Sequence, residues 1–271
     1  MFCDAADDEG VRVSTDVQPE IDWSGWLRRW DAQQAGYVPE REERFTVMLD
    51  ALAALLPASF VALDLACGPG SISQRLLARF PEARAIAVDM DPVMLAVGQG
   101  ALGTVDGRLR WVEADLASPD WLEALGETRL DAVLSTTALH WLEPEPLTRM
   151  YHDLGRLLRP GGLFLNGDNM AFGSAQPTLA RLSQGALDEQ WTDAAFAARG
   201  VETSEQWWEA LALEPASAPL IAARNQLLAG KRRQESSPGF DVHVAALRDA
   251  GFRETGTIWQ VLSDRVLMAV R

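Results

Sequence analysis

The segment VALDLACGPGSIS carries the residues with the most definite chemical consequence. Asp64 closes a buried-strand run. Gly68, Pro69 and Gly70 then make a tight turn that a ligand can approach closely, and the following helical pattern presents unpaired N–H groups above it. Asp89 ends the next strand-like run 21 residues after Gly68. From that position in doubly wound folds a carboxylate accepts hydrogen bonds from ribose hydroxyls. Asp115, in EAD at the end of a third run, can accept from an exocyclic amine such as that of adenine. A nucleoside is the expected ligand. Position 73 is Ser where a dinucleotide fingerprint has its third glycine, and Asp64 stands four residues before Gly68 where that fingerprint asks for no acid. Hydride transfer is therefore disfavoured.

Asp91 precedes Pro92, the arrangement of a helix N-cap followed by an N1 proline, and this reading is preferred to a second ribose ligand. His140 follows a fourth strand in STTALHW and is the candidate catalytic residue. With an ordinary pKa of about 6.5 an imidazole takes a proton from a hydroxyl or ammonium group near neutral pH. The other reading, in which the ring binds the backbone and fixes the loop before Pro144, stays open. His152 and His243 read as surface or boundary residues. Three scattered histidines with only Cys3 and Cys67 show no metal-ligand spacing and no disulfide framework, so no metal is expected.

These residues need elements to hold them. Residues 40–56 place Phe45, Met48, Leu49, Leu52, Leu55 and Leu56 at helical spacing, which predicts an amphipathic helix before the first strand. Strand runs at FVALDLA, ARAIAVDM, LRWVEADL, DAVLSTTAL and GLFLNGD alternate with helical segments, which implies a parallel sheet covered on both faces. The helix PLTRMYHDLGRLL is expected to stop at Pro160-Gly161-Gly162. TGTIWQV and RVLMAV lie too close together for a parallel crossover and must pair antiparallel. The fold class is α/β: a doubly wound, mostly parallel seven-stranded sheet with an antiparallel last strand, plus a helical cap inserted after strand five. The expected divisions are a disordered acidic tail at 1–20, an N-terminal helical segment at 21–57, the core at 58–169 and 239–271, and the cap at 170–238. The tryptophans at 23, 26 and 30, and at 191, 207 and 208, are explained mostly by packing, with one or two rings facing substrate.

The chain carries 39 acidic against 24 basic residues, a net charge of −15, which argues against nucleic-acid binding. No run reaches the roughly 18 apolar residues of a membrane helix. The first 20 residues lack the cationic and apolar regions of a signal peptide. A cytoplasmic protein with a small-molecule substrate and no membrane partner is expected, with a homodimer left open.

DLACGPGS, AVDMDPVML, VEADL, DAVLSTTALHWL, LLRPGGLF and the terminal strand pair resemble the class I S-adenosylmethionine-dependent methyltransferases over about 60–170 and 239–271. The chain is similar in particular to the small-molecule branch containing trans-aconitate and malonyl-carrier methyltransferases. The resemblance implies that Asp64, Gly68, Pro69 and Gly70 surround the methionine moiety of S-adenosyl-L-methionine. It further implies that Asp89 binds ribose, Met90 packs on adenine, and Asp115 with Leu116 reads adenine. An arginine on the preceding helix, Arg44, would reach the methionine carboxylate. Tyr37, Trp191, Trp207 and Trp208 are the candidate substrate-binding residues. The implied activity is methyl transfer to O, N or C of a small molecule enclosed by the cap. A carboxy-S-adenosylmethionine synthase-like enzyme and a noncatalytic S-adenosylmethionine-binding module remain as alternatives.

Overall fold

The computed structural model describes residues 21–229 and 238–271, apart from residues 39 and 128. The acidic tail expected at 1–20 lies outside the described residues. Seven strands form one sheet: β1 (Val61–Leu65), β2 (Arg84–Asp89), β3 (Leu109–Glu113), β4 (Leu130–Thr136), β5 (Leu158–Asn169), β6 (Glu254–Val261) and β7 (Asp264–Val270). Their order is β3-β2-β1-β4-β5-β7-β6. β1 to β5 pair with one another in parallel, and β7 is antiparallel to both β5 and β6. The winding reverses between β1 and β4, so a crevice opens beyond the carboxyl ends of those strands, where open α/β sheets bind ligands.

Apolar stripes seat helices on both faces. Phe45, Met48 and Leu52 of α2 (Arg41–Leu55) cover one face with Ile72 and Leu76 of α3 (Ser71–Arg79) and Leu95 of α4 (Pro92–Leu102). The other face is covered by α5 (Trp121–Leu125), α6 (Pro144–Leu157) and α11 (Phe240–Asp249), through Trp121, Met150, Tyr151, Leu154 and Leu247. α6 ends earlier than its Pro-Gly-Gly signal indicates. Leu158 already pairs with Leu130, and Pro160-Gly161-Gly162 forms an irregularity inside β5, with Gly161 at φ 80° donating its N–H to the carbonyl of Arg271.

After β5 the alternation gives way to α7 (Pro177–Gln190), α8 (Asp193–Arg199), α9 (Ser204–Ala212) and α10 (Ala218–Leu228), in the interval read as a helical insertion. α1 (Trp23–Tyr37) and α9 pack together on α4, where Trp26, Leu27, Val93, Met94, Val97, Trp207 and Leu211 make a separate small core. This core holds α1 beside the crevice. Among the described residues no helix is long and apolar enough to cross a membrane.

Candidate active site

The turn after β1 is built around positive φ angles, at Gly68 (54°) and Gly70 (81°), that side chains rarely tolerate. It is fixed by the neighbouring strand: Asp89 Oδ2 accepts from Gly68 N, and Asp89 Oδ1 from Asp91 N, each at 2.8 Å. α4 lies directly against the turn, because a Cβ on Gly98 would stand 2.8 Å from the carbonyl oxygen of Pro69 and 2.4 Å from the Trp111 ring. Burial pushes the Asp89 carboxyl up to about 6; backbone N–H donors at Asp91, Gly68 and Met90 oppose that rise, and the Asp91 charge adds to it.

A cavity of about 570 Å³ opens above the turn. Gly68, Pro69, Asp89, Met90, Asp115 and Leu116 all line it, joined by Trp30 and Arg41 from the N-terminal helices and by Thr137, Leu139 and Trp141 after β4. Six of the residues singled out for a nucleoside cofactor thus border one space. Asp64 and Gly70 are not in its lining. Asp64 is buried below the turn, where its Oδ2 accepts from Ser73 N at 3.2 Å and Ser73 Oγ at 2.7 Å, while its Oδ1 has no hydrogen-bond partner among the described residues. Burial pushes this carboxyl up to about 7. Asp91 caps α4 as its position before proline indicates, accepting from Val93 N at 3.0 Å, and it also borders the cavity.

Among the described residues the arginine at the cavity is Arg41, and Arg44 is elsewhere. Three residues on from Arg41, Arg44 turns toward the sheet and is fully buried. There it lies against Gly167, whose missing side chain leaves it room, and Nη2 donates to Thr137 Oγ1 at 2.5 Å. Thr137 sits at φ 54°, so Arg44 supports a strained segment of the cavity wall from behind. Arg41 is paired with Asp31 at 3.0 Å, and Asp31 also takes Ser71 Oγ and Arg75, which ties α1, α2 and α3 together at the mouth.

The aromatic candidates for substrate binding do not line the cavity. Tyr37 packs on Phe196 and Trp191, and the Trp191 indole N–H donates to the Tyr37 carbonyl at 2.9 Å. Trp207 is completely buried in the small core, edge-on to Trp26 and Trp30, so its ring belongs to the packing of α9 on α1. Trp208 stacks under Arg224. The rings that do border the cavity are Trp30 and Trp141.

His140 stands in the short turn Leu139–Trp141 beyond β4. Its Nδ1 is 2.7 Å from Asp168 Oδ1, and its backbone N–H donates to Asp168 Oδ2 at 3.1 Å. A carboxylate only accepts, so Nδ1 carries the proton in this pair. Burial alone would raise the Asp168 carboxyl, but His140 and Arg44 hold it below the usual carboxylate value. Asp168 lies one residue before the end of β5, near the carboxyl edge that Asp89 closes on β2. The same signal, an acid closing a buried strand, marks it in the sequence, where GLFLNGD was read only as a strand. His243 is not a boundary residue: it is buried, with Nδ1 2.6 Å from the Tyr151 hydroxyl, and burial lowers its pKa.

Residues 62–162 match the family model described as a methyltransferase domain. The chain is 35% identical over 135 residues to a trans-aconitate 2-methyltransferase of Azoarcus sp. (strain BH72), covering 49% of this chain and 48% of the relative. It is 30% identical over 189 residues to that of Acidovorax ebreus (strain TPSY), covering 69% of this chain and 68% of the relative. The chain spans about half the length of the first curated relatives it matches. An O-methyltransferase family protein from Burkholderia thailandensis shares the fold at a TM-score of 0.53 and 16% identity, over 92% of this chain and 68% of that one. With the sheet order, the glycine turn and the matched segments in agreement, the chain belongs to the class I S-adenosylmethionine-dependent methyltransferases.

Proposed function

We propose that the protein transfers the methyl group of S-adenosylmethionine to a small-molecule acceptor at the carboxyl edge of the sheet. The observation that carries this reading is one cavity bordered both by the cofactor candidates and by Thr137, Ala138, Leu139 and Trp141, the residues flanking His140, which is not itself in the lining. Its residues fit the cofactor. Asp89 offers a carboxylate to vicinal hydroxyls, Met90 and Leu116 offer apolar surface to a purine, and Asp115 lies at hand for an exocyclic amine. S-adenosylmethionine, when bound, supplies an already activated methyl group on a sulfonium, so the chain's task is chiefly alignment and exclusion of water. Trp30 and Trp141 border the cavity and would shield it. His140, fixed through Nδ1 by Asp168, takes on Nε2 the proton that a hydroxyl or amine acceptor gives up.

Trans-aconitate, the acceptor named for the relatives, is the first compound to try here. As a carboxylate it is ionised at neutral pH and would place no demand on His140. The test is formation of S-adenosylhomocysteine from S-adenosylmethionine with a panel of carboxylate, hydroxyl and amine acceptors. Acceptor-dependent product supports the reading. Binding of the cofactor with no turnover on any acceptor would contradict it and favour a noncatalytic binding module.

A further inference from the structure

Asp91 has two oxygens with different tasks. Oδ1 caps α4 through Val93 N, and Oδ2 is held by Arg224 Nε of α10 at 2.6 Å, with both side chains largely buried. The Arg224 guanidinium also stacks 3.9 Å from the Trp208 ring on α9, and Trp208 meets Trp207 edge-on at 5.0 Å. Trp207 in turn packs on Trp30, which lines the cavity, and Leu228 brings the end of α10 to the same lining. The inserted helices therefore touch the site at a charged point, two residues from the carboxylate expected to hold ribose.

We infer that Arg224 is a positioning residue for the cofactor, coupling the docking of α9 and α10 to the ribose carboxylate Asp89 by neutralising Asp91. The inference rests on the proposed reading of Asp89 as the ribose ligand. Ribose hydroxyls donate more strongly to an ionised carboxylate than to a neutral carboxyl. Of the ionisable groups around Asp89, Asp91 beyond β2 raises it by its charge; Asp64 on β1 and the exposed Glu113, its register partner on β3, are acids too, and the Cys67 thiol in the turn, held protonated by burial, is neutral. Among the described residues Arg224 is the cation paired with Asp91. When it is engaged, Asp91 acts on Asp89 as half of a neutral pair; when α10 withdraws, Asp91 acts as a bare charge.

The experiment is calorimetric titration of S-adenosylhomocysteine from about pH 5.5 to 8.5 into the full chain and its variants. In the wild-type protein affinity should fall as pH drops through about 6. Arg224→Gln should move that midpoint up by roughly one pH unit, weakening binding about twofold at pH 7 and about eightfold at pH 5.5, with recovery above pH 8. Arg224→Lys keeps the charge and should keep the wild-type midpoint. Asp91→Asn with Arg224→Gln removes both charges while Asn still caps α4, and should return the midpoint to the wild-type value or below. This double variant decides the matter should Arg224→Gln fail to fold. An Arg224→Gln variant that binds as wild type, or more weakly by the same factor at every pH, overturns the coupling, as does a double variant whose midpoint stays raised. Absence of binding by the wild-type protein at every pH would instead overturn the reading of Asp89 itself.

Discussion

At His140 the contact on which the proposed base role turns is the one Nδ1 makes with Asp168, because a carboxylate partner places the ring proton on Nδ1. With a hydroxyl or amine acceptor, His140→Ala should slow single-turnover methylation by roughly 10²-fold or more at neutral pH and leave cofactor affinity nearly unchanged. Asp168→Asn should slow it less and shift its pH profile, since the ring keeps its place but loses the charge that favours imidazolium. An unchanged rate in both variants would leave His140 as a loop anchor. Asp64 makes a separate prediction through stability. Its carboxyl is raised from 3.8 to about 7 by burial, so the folded protein holds a proton there that the unfolded chain has released. This group therefore costs stability as pH rises from about 4 to 7 and nothing below that window. At about 1.4 kcal/mol per tenfold change in proton affinity the cost above pH 7 is on the order of 4 kcal/mol, so Asp64→Asn should raise the melting temperature at pH 8 and lose that advantage below pH 4. Thermal scans at both pH values check the sign.

α4 is the element on which the site's geometry turns, because its backbone touches the Pro69 carbonyl and the Trp111 ring at a position where only glycine fits. Gly98→Ala should force α4 away from the turn, cost about 1–3 kcal/mol by overpacking, and weaken cofactor binding along with stability. Denaturant unfolding and calorimetry on one preparation would show whether the two losses move together. α9 allows a contrasting comparison. Trp207→Ala opens a void in the core shared with α1 and α4 and should cost about 3–5 kcal/mol. Trp191 is 44% exposed, and its replacement by Ala should cost far less. If Trp191→Ala proves as destabilising as Trp207→Ala, the division between packing ring and surface ring is mistaken.

Across the whole molecule, the sheet was legible because each strand run is short, buried and followed by helical spacing, and because the last two runs are too close for a crossover. The turn, Asp89 and Asp115 were legible because an acid or glycine at a strand's carboxyl end has few structural reasons to be there. What sequence could not supply was rotation and partnership. Arg41 and Arg44 differ by three positions on one helix, yet one borders the cavity and the other lies behind its wall. Trp207 and Trp208 are adjacent, yet one fills a core and the other stacks on Arg224. His140 and Asp168 are 28 residues apart, and only the pairing of β4 with β5 brings them together. The functional reading depends on one claim, that the cavity over the glycine turn holds S-adenosylmethionine with Asp89 on its ribose. Titration of S-adenosylhomocysteine into the wild-type protein and Asp89→Ala, with NAD as control, tests it most directly. Binding by the wild-type protein, a loss of about 10- to 100-fold in the variant, and no heat from NAD is the expected result, at roughly 1.5–3 kcal/mol per lost charge-assisted hydrogen bond. Equal affinity in the two proteins, or no binding by either, would contradict it.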